Sequence, residues 1–298
     1  MLVTPENLAK LNIGFNTKFN AGFAGAKPIY DQICMMTNSS GSEEVYAWLG
    51  QLPSIREWIG ARVLHNLELH GFSISNKTFE SSVAVPRTSI EDDKVGAFSP
   101  LFEDLGRRAA EFPDELFAAL VQSGFTTNCY DGQYFFDTDH PVVGADGVTV
   151  SSVSNFQGGA GTAWYLLDLS RAIRPFIYQE RIPFALQRRD RDGDDNVFVQ
   201  DEYQYGVRGR CNVGFGLWQL AYASKQALSP ATYENARSTM AKMRGDQGRK
   251  LGIRGTHLLV PTDLEGDARR LLKNQLAADG SSNPWFDSAE LLVSPWLD

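Results

Sequence analysis

Asp137, Asp139 and His140, in the run Asp137-Thr138-Asp139-His140-Pro141, form the cluster most able to do chemistry together. Two carboxylates and an imidazole so close could hold a divalent cation and activate a water for hydrolysis. Only four histidines occur in the chain, and no second carboxylate–histidine cluster accompanies this one. An Asx turn with a local ion pair accounts for the same residues. Asp190, Asp192, Asp194, Asn196 and Asp201 follow the ligand spacing of a calcium loop, but Asp195 stands where that loop needs glycine and Asp201 where it needs a bidentate glutamate. With no flanking helices expected, this reads as a solvated turn between strands. Gly158-Gly159-Ala160-Gly161 is neither a dinucleotide fingerprint nor a P-loop, since no Lys-Ser/Thr follows. Cys129 has no partner histidine evident in the sequence, which leaves a thiol nucleophile unsupported. Arg171, Arg174, Arg181, Arg188, Arg189 and Arg191 could touch phosphate, but in an acidic chain they are expected to pair with carboxylates. The expectation is therefore no catalytic, cofactor-binding or metal-ligating residue and no enzyme. A metal-dependent hydrolase using Asp137, Asp139 and His140 is the alternative.

The elements that would position such residues follow from periodicity. Glu91-Asp92-Asp93-Lys94 leads into SPLFEDLGRRAAEFPDELFAALVQSGF (99–125). There Leu101, Phe102, Leu105, Ala109, Phe112, Leu116, Phe117 and Leu120 make one apolar stripe of a helix. Ser99 reads as N-cap with Pro100 at the first position, and Gly124 as the stop. Pro113 removes the hydrogen bond to Ala109 and predicts a kink or a split, with Asp114 and Glu115 suited to a fresh helix start. Upstream, Thr4-Pro5 opens a helix whose stripe is Leu8, Leu11, Phe15, Phe19 and Phe23, to be covered by the chain's own core or by a neighbour. Residues 37–44 read as a polar loop. YAWLGQLPSIREWIG (46–60) reads as an anchor built on Trp48, Leu52, Ile55, Trp58 and Ile59. Residues 60–90 read as strands turning at Gly71 or Asn76-Lys77, a ribbon too polar to stand without a partner surface. Residues 126–162 read as loops, WYLLDLS (164–170) as a buried strand, and 197–225 as beginning in an alternating strand. Ser229-Pro230 opens a helix with Tyr233, Ala236, Met240 and Met243 on one face. THLLVP (256–261) is a strand, Thr262-x-x-Glu265 a capping box for a helix reaching Gly280, and AELLVSPWLD a last strand. Strand–helix–strand order predicts a small α/β lobe.

The chain has 298 residues, 43% of them hydrophobic, enough for a full core. A net charge of −8 and a pI near 5.1 argue against gripping nucleic acid through a basic surface, though not against enclosing it. Cys34, Cys129 and Cys211 form no CxxC, so no zinc ribbon or disulfide framework is supported, and a reducing interior is the simplest setting. MLVTPENLAKLNIGF carries no signal-peptide pattern, and no apolar run approaches the roughly 20 residues of a membrane span. What stands out is an apolar arm, a polar ribbon, a long helix and surplus aromatic anchors. Those are features of a protein that completes itself by binding copies of itself.

Several segments carry a family resemblance: GFNTKFNAGFAGAKPIY (14–30), YAWLGQLPSIREWIGARVL (46–64), TFESSVAVPRTSIEDDKVG (78–96), PDELFAALVQSGF (113–125), CYDGQYFFDTDHPV (129–142), SVSNFQGGAGTAWYLLD (152–168), DEYQYG (201–206), GFGLWQLAYASKQ (214–226) and the LLVP…SAELLVSPWL pair. Their number, order and coverage resemble the Mu-like phage major head subunits, the gpT family. The resemblance implies an α+β, HK97-like major capsid protein fold. Its parts would be an N-terminal arm (1–51), an E-loop β-hairpin region (52–95), a P domain (96–150 and 180–225) with spine helix 100–123, and an A domain (151–179 and 226–298). WYLLD would pair into the A-domain sheet. In related capsid chains the LLVP strand–helix unit is expected ahead of the WYLLD strand, so the connectivity here reads as rearranged. The implied function is self-assembly as hexamers and pentamers into an icosahedral head around double-stranded DNA. Implied partners are copies of the chain, a separate scaffold protein, a portal and a decoration protein, with no membrane and no cofactor. A decoration protein binding a preformed lattice is a further alternative. Asn76 and Lys77 fall near the hairpin tip, where some capsids of this fold crosslink Lys to Asn; nothing in the sequence supports a crosslink here. The spine's Pro113 would suit shells whose spine bends between immature and mature lattices.

Overall fold

A computed structural model describes residues 3–47, 49, 72–92, 94–144, 146, 148–191, 193–277 and 279–298. The expected anchor residues Trp48, Leu52, Ile55, Trp58 and Ile59, and the strand reading of 60–71, lie outside the described residues. Helix α1 spans Pro5–Gly25, opened by Thr4, whose hydroxyl accepts from the Asn7 N–H at 3.3 Å. After the short α2 (Tyr30–Ile33) come β1 (Cys34–Asn38), β2 (Glu43–Val45), β3 (Ser73–Ser75) and β4 (Lys77–Pro86). The polar loop expected at 37–44 shrinks to residues 39–42, because the Glu44 carboxylate collects the Ser40 and Gly41 N–H groups and lets strands form on both sides.

The ribbon expected to turn at Asn76-Lys77 is corrected: β3 pairs antiparallel with β2, not with β4. Asn76 is the switch point. Its side-chain amide donates to Ser39 Oγ and the Gly41 carbonyl, and its oxygen accepts from Gln179. With Asn76 held there, the chain leaves one small sheet and enters another.

Next are α3 (Arg87–Glu91), a 3₁₀ segment (Lys94–Phe98) and α4 (Ser99–Ser123). The 3₁₀ segment runs straight into α4, so Ser99 lies in the first turn and supplies no cap bond; Phe98 is the cap residue. The expected split at Pro113 does not occur: α4 is one helix of 25 residues with Pro113 inside it. A single lost hydrogen bond and ring clash cost about 3 kcal/mol. Phe102, Leu105, Ala109 and Ala110 before the proline, and Phe117, Ala118 and Val121 after it, are all buried and hold both halves in place. Asp114 starts no new helix; it is buried and accepts from the Ile29 and Tyr30 N–H groups at 2.7–3.1 Å.

Residues 126–162, expected as loops, contain the hairpin β5 (His140–Val143) and β6 (Val150–Val153), then β7 (Phe156–Gly159). β8 (Trp164–Leu167) is wholly buried, as its composition predicts. β9 (Phe176–Arg189) and β10 (Glu202–Phe215) are long antiparallel strands joined by α5 (Asp195–Gln200). The alternating pattern therefore starts at Glu202, not at Val197. β11 (Ala221–Lys225) precedes α6 (Pro230–Lys242), which has a reciprocal capping box between Ser229 and Thr232. The two-residue strands β12 (Arg244–Gly245) and β13 (Arg249–Lys250) lead to β14 (His257–Val260), α7 (Glu265–Lys273) and β15 (Glu290–Val293). The capping box expected at Thr262–Glu265 is absent: a 3₁₀ turn, Thr262–Leu264, precedes α7, and the Thr262 N–H donates to Asp298. α7 ends at Lys273, well short of Gly280.

These elements form two layered units. A four-stranded sheet in the order β1-β9-β10-β4 carries α1 and α4 on one face. The buried side of β10 supplies Tyr203, Tyr205 and Val207, and Tyr205 meets the stacked rings of Phe15 and Phe102 edge-on. The α1 stripe is thus covered by its own chain, apart from half-exposed Phe23. Gly22 and Gly106 bring the α1 and α4 backbones together; a Cβ on either would collide with the Glu103 or Phe19 carbonyl. A five-stranded sheet, β15-β14-β8-β11-β7, forms the second unit. β14, α7 and β15 make the predicted strand–helix–strand lobe, with the two strands parallel. Phe176–Gln179 pair into the four-stranded sheet and Ala221–Lys225 into the five-stranded one. Each continues the ladder of a longer or fully buried neighbour, which the sequence pattern does not reveal.

Candidate functional site

His140 is fully buried at the start of β5, stacked on the Trp218 ring at 3.9 Å and 10°. Its Nδ1 lies 2.7 Å from Asp131 Oδ2 and its Nε2 3.2 Å from Asn155 Oδ1. Asp131 Oδ1 accepts from the Cys129 thiol at 3.0 Å. Burial and the neighbouring Asp131 charge push the Cys129 thiol far up. Burial also pushes the Asp131 carboxyl up, but the bonds from His140 and Cys129 outweigh it and hold Asp131 below its ordinary range.

The cluster proposed from sequence is therefore not the one the fold assembles. Asp137 closes a turn, its carboxylate accepting from Thr138 N–H at 2.7 Å and Tyr134 N–H at 3.3 Å. Asp139 is exposed, and partial desolvation together with the Asp137 charge raises its carboxyl. His140 turns inward instead, to Asp131. Cys129, expected to lack a histidine, has one beyond Asp131. The signal available in the sequence was Cys129-x-Asp131 lying one short loop before His140; a loop that folds back brings those three together while hiding the spacing.

The calcium-like spacing does not converge either. Asp190 is buried against Arg188, at 3.1 Å, and Asn196 turns its amide to the Arg189 and Glu202 carbonyls. Asp194 accepts from the Arg191 N–H, while Asp192 lies outside the described residues. The arginine run only partly pairs with carboxylates. Arg188 and Arg189 face Asp190 and Asp195, but Arg174 donates to the Asp31, Gln32 and Cys34 carbonyls and Arg181 to the Ser39 carbonyl. Arg171 reaches both the Leu251 carbonyl and Asp168. Gly158 and Gly159 have φ of 76° and 104°, and Gly159 packs against the Lys225 backbone where β7 joins β11. This is a close strand junction, not a phosphate cradle.

The surface offers a different kind of site. Phe198, 88% exposed, and Val199 project from α5 at the end of the β9–β10 ribbon. Val148, 82% exposed, and Val150 lie at the β5–β6 turn. Ile13 and Trp296 are further large apolar side chains open to solvent. Single exposed apolar residues are ordinary, but projecting pairs at the ends of two ribbons suit contacts with another subunit. Among the described residues no helix is long and apolar enough to cross a membrane.

Comparison with known proteins gives these surfaces their context. The family model for the Mu-like prophage major head subunit gpT matches residues 8–297. The chain is 45% identical to the Mu-like prophage FluMu major head subunit of Haemophilus influenzae, covering 93% of this chain and 92% of that one. It is 41% identical to the major capsid protein of Escherichia phage Mu over the whole of both. In three dimensions it matches a chain of the bacteriophage JBD30 procapsid with TM-score 0.88 and 43% identity, covering 99% and 100% of the two chains. A chain of the JBD30 capsid matches at TM-score 0.78 and 31% identity over both full lengths. The α+β architecture is thus that of an HK97-like capsid subunit. The hydrolase alternative falls, both on the divergence of Asp137 and Asp139 from His140 and on the structural role of these relatives. The chain belongs to the Mu-like prophage major head subunit gpT family.

Proposed function

We propose that the chain is the major capsid protein of a Mu-like tailed double-stranded-DNA phage, joining as hexamers and pentamers into the icosahedral head that encloses the genome. The observation that carries this reading is the end-to-end match to the JBD30 procapsid chain at TM-score 0.88. The place of action is the virion head. In this reading α4 is the spine of a P domain that also takes the β9–β10 ribbon, and the five-stranded sheet with α6 and α7 is the A domain. Residues 1–51 would serve as the N-terminal arm and 52–95 as the E-loop region.

Assembly energy comes from buried area, and a subunit touching several neighbours exceeds the roughly 1,600 Å² of a standard interface. A net charge of −8 suits a lining that repels packed DNA instead of adhering to it. A scaffold protein and a portal are the assembly partners. Decoration is a further reading, favoured by the JBD30 capsid decorated with minor capsid protein trimers, whose matching chain is 31% identical to this one. No Lys77–Asn76 crosslink is expected, since the Asn76 amide is already committed to Ser39 and Gly41. Denaturing gels of mature heads should show single chains and no ladder. Co-expression with the scaffold, followed by electron microscopy and sedimentation, tests the main proposal. Closed shells are expected; only monomers and small oligomers under all conditions would overturn it.

A further inference from the structure

The loop between α4 and β5, with the first residue of β5, gathers a thiol, a carboxylate and an imidazole in one place. The ligand-capable atoms of Cys129, Asp131 and His140 all lie within 4.8 Å of one another. Cys129 and His140 are buried, and the Asp131 side chain keeps a tenth of its surface open, which leaves a path to solvent. Sulfur, imidazole nitrogen and carboxylate oxygen are the donor set that selects zinc over calcium or magnesium.

Asn155 decides which imidazole nitrogen faces the cluster. Its Nδ2 donates to the Phe135 carbonyl at 2.8 Å and to the Trp218 and Ala221 carbonyls at 3.3 Å. Its Oδ1 accepts from the Asp137 N–H at 2.9 Å. Only an acceptor therefore meets His140 Nε2, so Nε2 carries a hydrogen and donates to it. Nδ1 is left facing Asp131 Oδ2. A buried partner that fixes the outer ring nitrogen and points the inner one at a cation is the arrangement of metal-bound histidines. Asp131 is oriented in the same way, its Oδ1 accepting also from the Gln133 N–H at 3.1 Å.

We propose that Cys129, Asp131 and His140 form a structural zinc site, with Cys129 Sγ, His140 Nδ1 and the Asp131 carboxylate as ligands. The fourth position is closed by the second carboxylate oxygen or by a water entering beside Asp131. Zinc–ligand bonds of about 2.0–2.3 Å place neighbouring ligand atoms of a tetrahedron about 3.3–3.8 Å apart. The separations are 3.0 Å for Sγ to Oδ1 and 2.7 Å for Nδ1 to Oδ2, so these pairs spread slightly, while the thiol and imidazole start no more than 4.8 Å apart. On binding, Zn–S and Zn–N bonds form as the Sγ–H proton and the proton held between His140 Nδ1 and Asp131 Oδ2 leave to solvent. A thiolate and a carboxylate then neutralise the dication, and no redox change occurs. The ion would staple the loop that carries Phe135 and Phe136 against Trp218, where the two units of the subunit share one core.

The test uses the full-length protein, freed of metal with a chelator and titrated with Co²⁺ as a spectroscopic stand-in, then with Zn²⁺. Expected are one equivalent bound per chain, a thiolate-to-cobalt charge-transfer band, and loss of that band on adding Zn²⁺. Cys129→Ser should abolish the band and weaken binding roughly tenfold or more, the loss that even an outer partner of a metal site produces. Cys34→Ser and Cys211→Ser should leave both unchanged. No band in the wild-type chain, clearly substoichiometric binding, or a band that survives Cys129→Ser would overturn the site. The wild-type band reads thiolate ligation directly, so the result stands even if Cys129→Ser fails to fold.

Discussion

At the scale of single residues, Asp114 is the side chain with the sharpest consequence. It sits beside Pro113 on the long helix, buried, and holds the start of the Ile29–Ile33 segment through two backbone N–H groups. Burial raises its carboxyl to about 6, against the pull of those N–H bonds. The folded chain thus keeps the proton where the unfolded chain has released it. Stability is highest below the ordinary carboxylate pKa and declines as pH rises through about 4 to 6, on the order of 2 kcal/mol for this group. Denaturant unfolding of the free subunit should show that decline in the wild type, with a flatter profile in Asp114→Asn. Identical slopes in the two proteins would refute the assignment. Asp114→Ala should cost roughly 1–3 kcal/mol at any pH, because it strands buried N–H donors. None of this was legible from sequence, where Asp114 followed a proline and looked like a helix start. Ser229 was legible, because an N-cap is read within three residues of chain and needs no tertiary partner.

At the scale of elements, the crossing of α1 on α4 makes the clearest test. Gly106 meets the Phe19 backbone, so Gly106→Ala must force two helices apart. Such overpacking typically costs about 1–3 kcal/mol, outweighing the helix propensity gained. Gly14, also in α1, has nothing within 4 Å of where a Cβ would stand. Gly14→Ala should therefore stabilise the subunit by up to about 1 kcal/mol. Thermal unfolding of the two variants should move in opposite directions; a shared direction would mean the crossing is not tight. Both helices were readable as amphipathic stripes. That they face each other through glycines was not, since Gly22 and Gly106 lie far apart in the chain. The strand beginning at Lys77 was also readable, but its partner was not: β10 and β4 lie well over a hundred residues apart in sequence, and side-chain contacts around Asn76 steer the chain from one sheet to the other.

At the scale of the whole molecule, the exposed ends of the ribbons separate folding from assembly. Phe198 contributes almost nothing to the subunit's own core, so Phe198→Asp should change subunit stability by no more than about 0.5 kcal/mol. The same change puts a charge where a neighbouring copy is expected to exclude water. Co-expression with the scaffold should then give a clear fall in closed shells, read by sedimentation, with an unaltered melting temperature. Normal shells from the variant would mean that the β9–β10 end faces solvent in the head.

Helix and strand could be read from the chain wherever the pattern is local: the α1 and α4 stripes, the capped α6, the buried β8 and the closing strand–helix–strand lobe. Through the number and order of its family segments the sequence also identified the chain. Tertiary structure alone decided which faces meet. It turned His140 from Asp139 to Asp131, covered the α1 aromatics with the chain's own helix, kept α4 continuous through Pro113, and placed Ala221–Lys225 in the five-stranded sheet. The physical reason is range. Caps and periodicity are set by neighbours a turn or two away. Partnership across a core is set by burial, which every apolar stripe seeks equally and only the packed whole assigns.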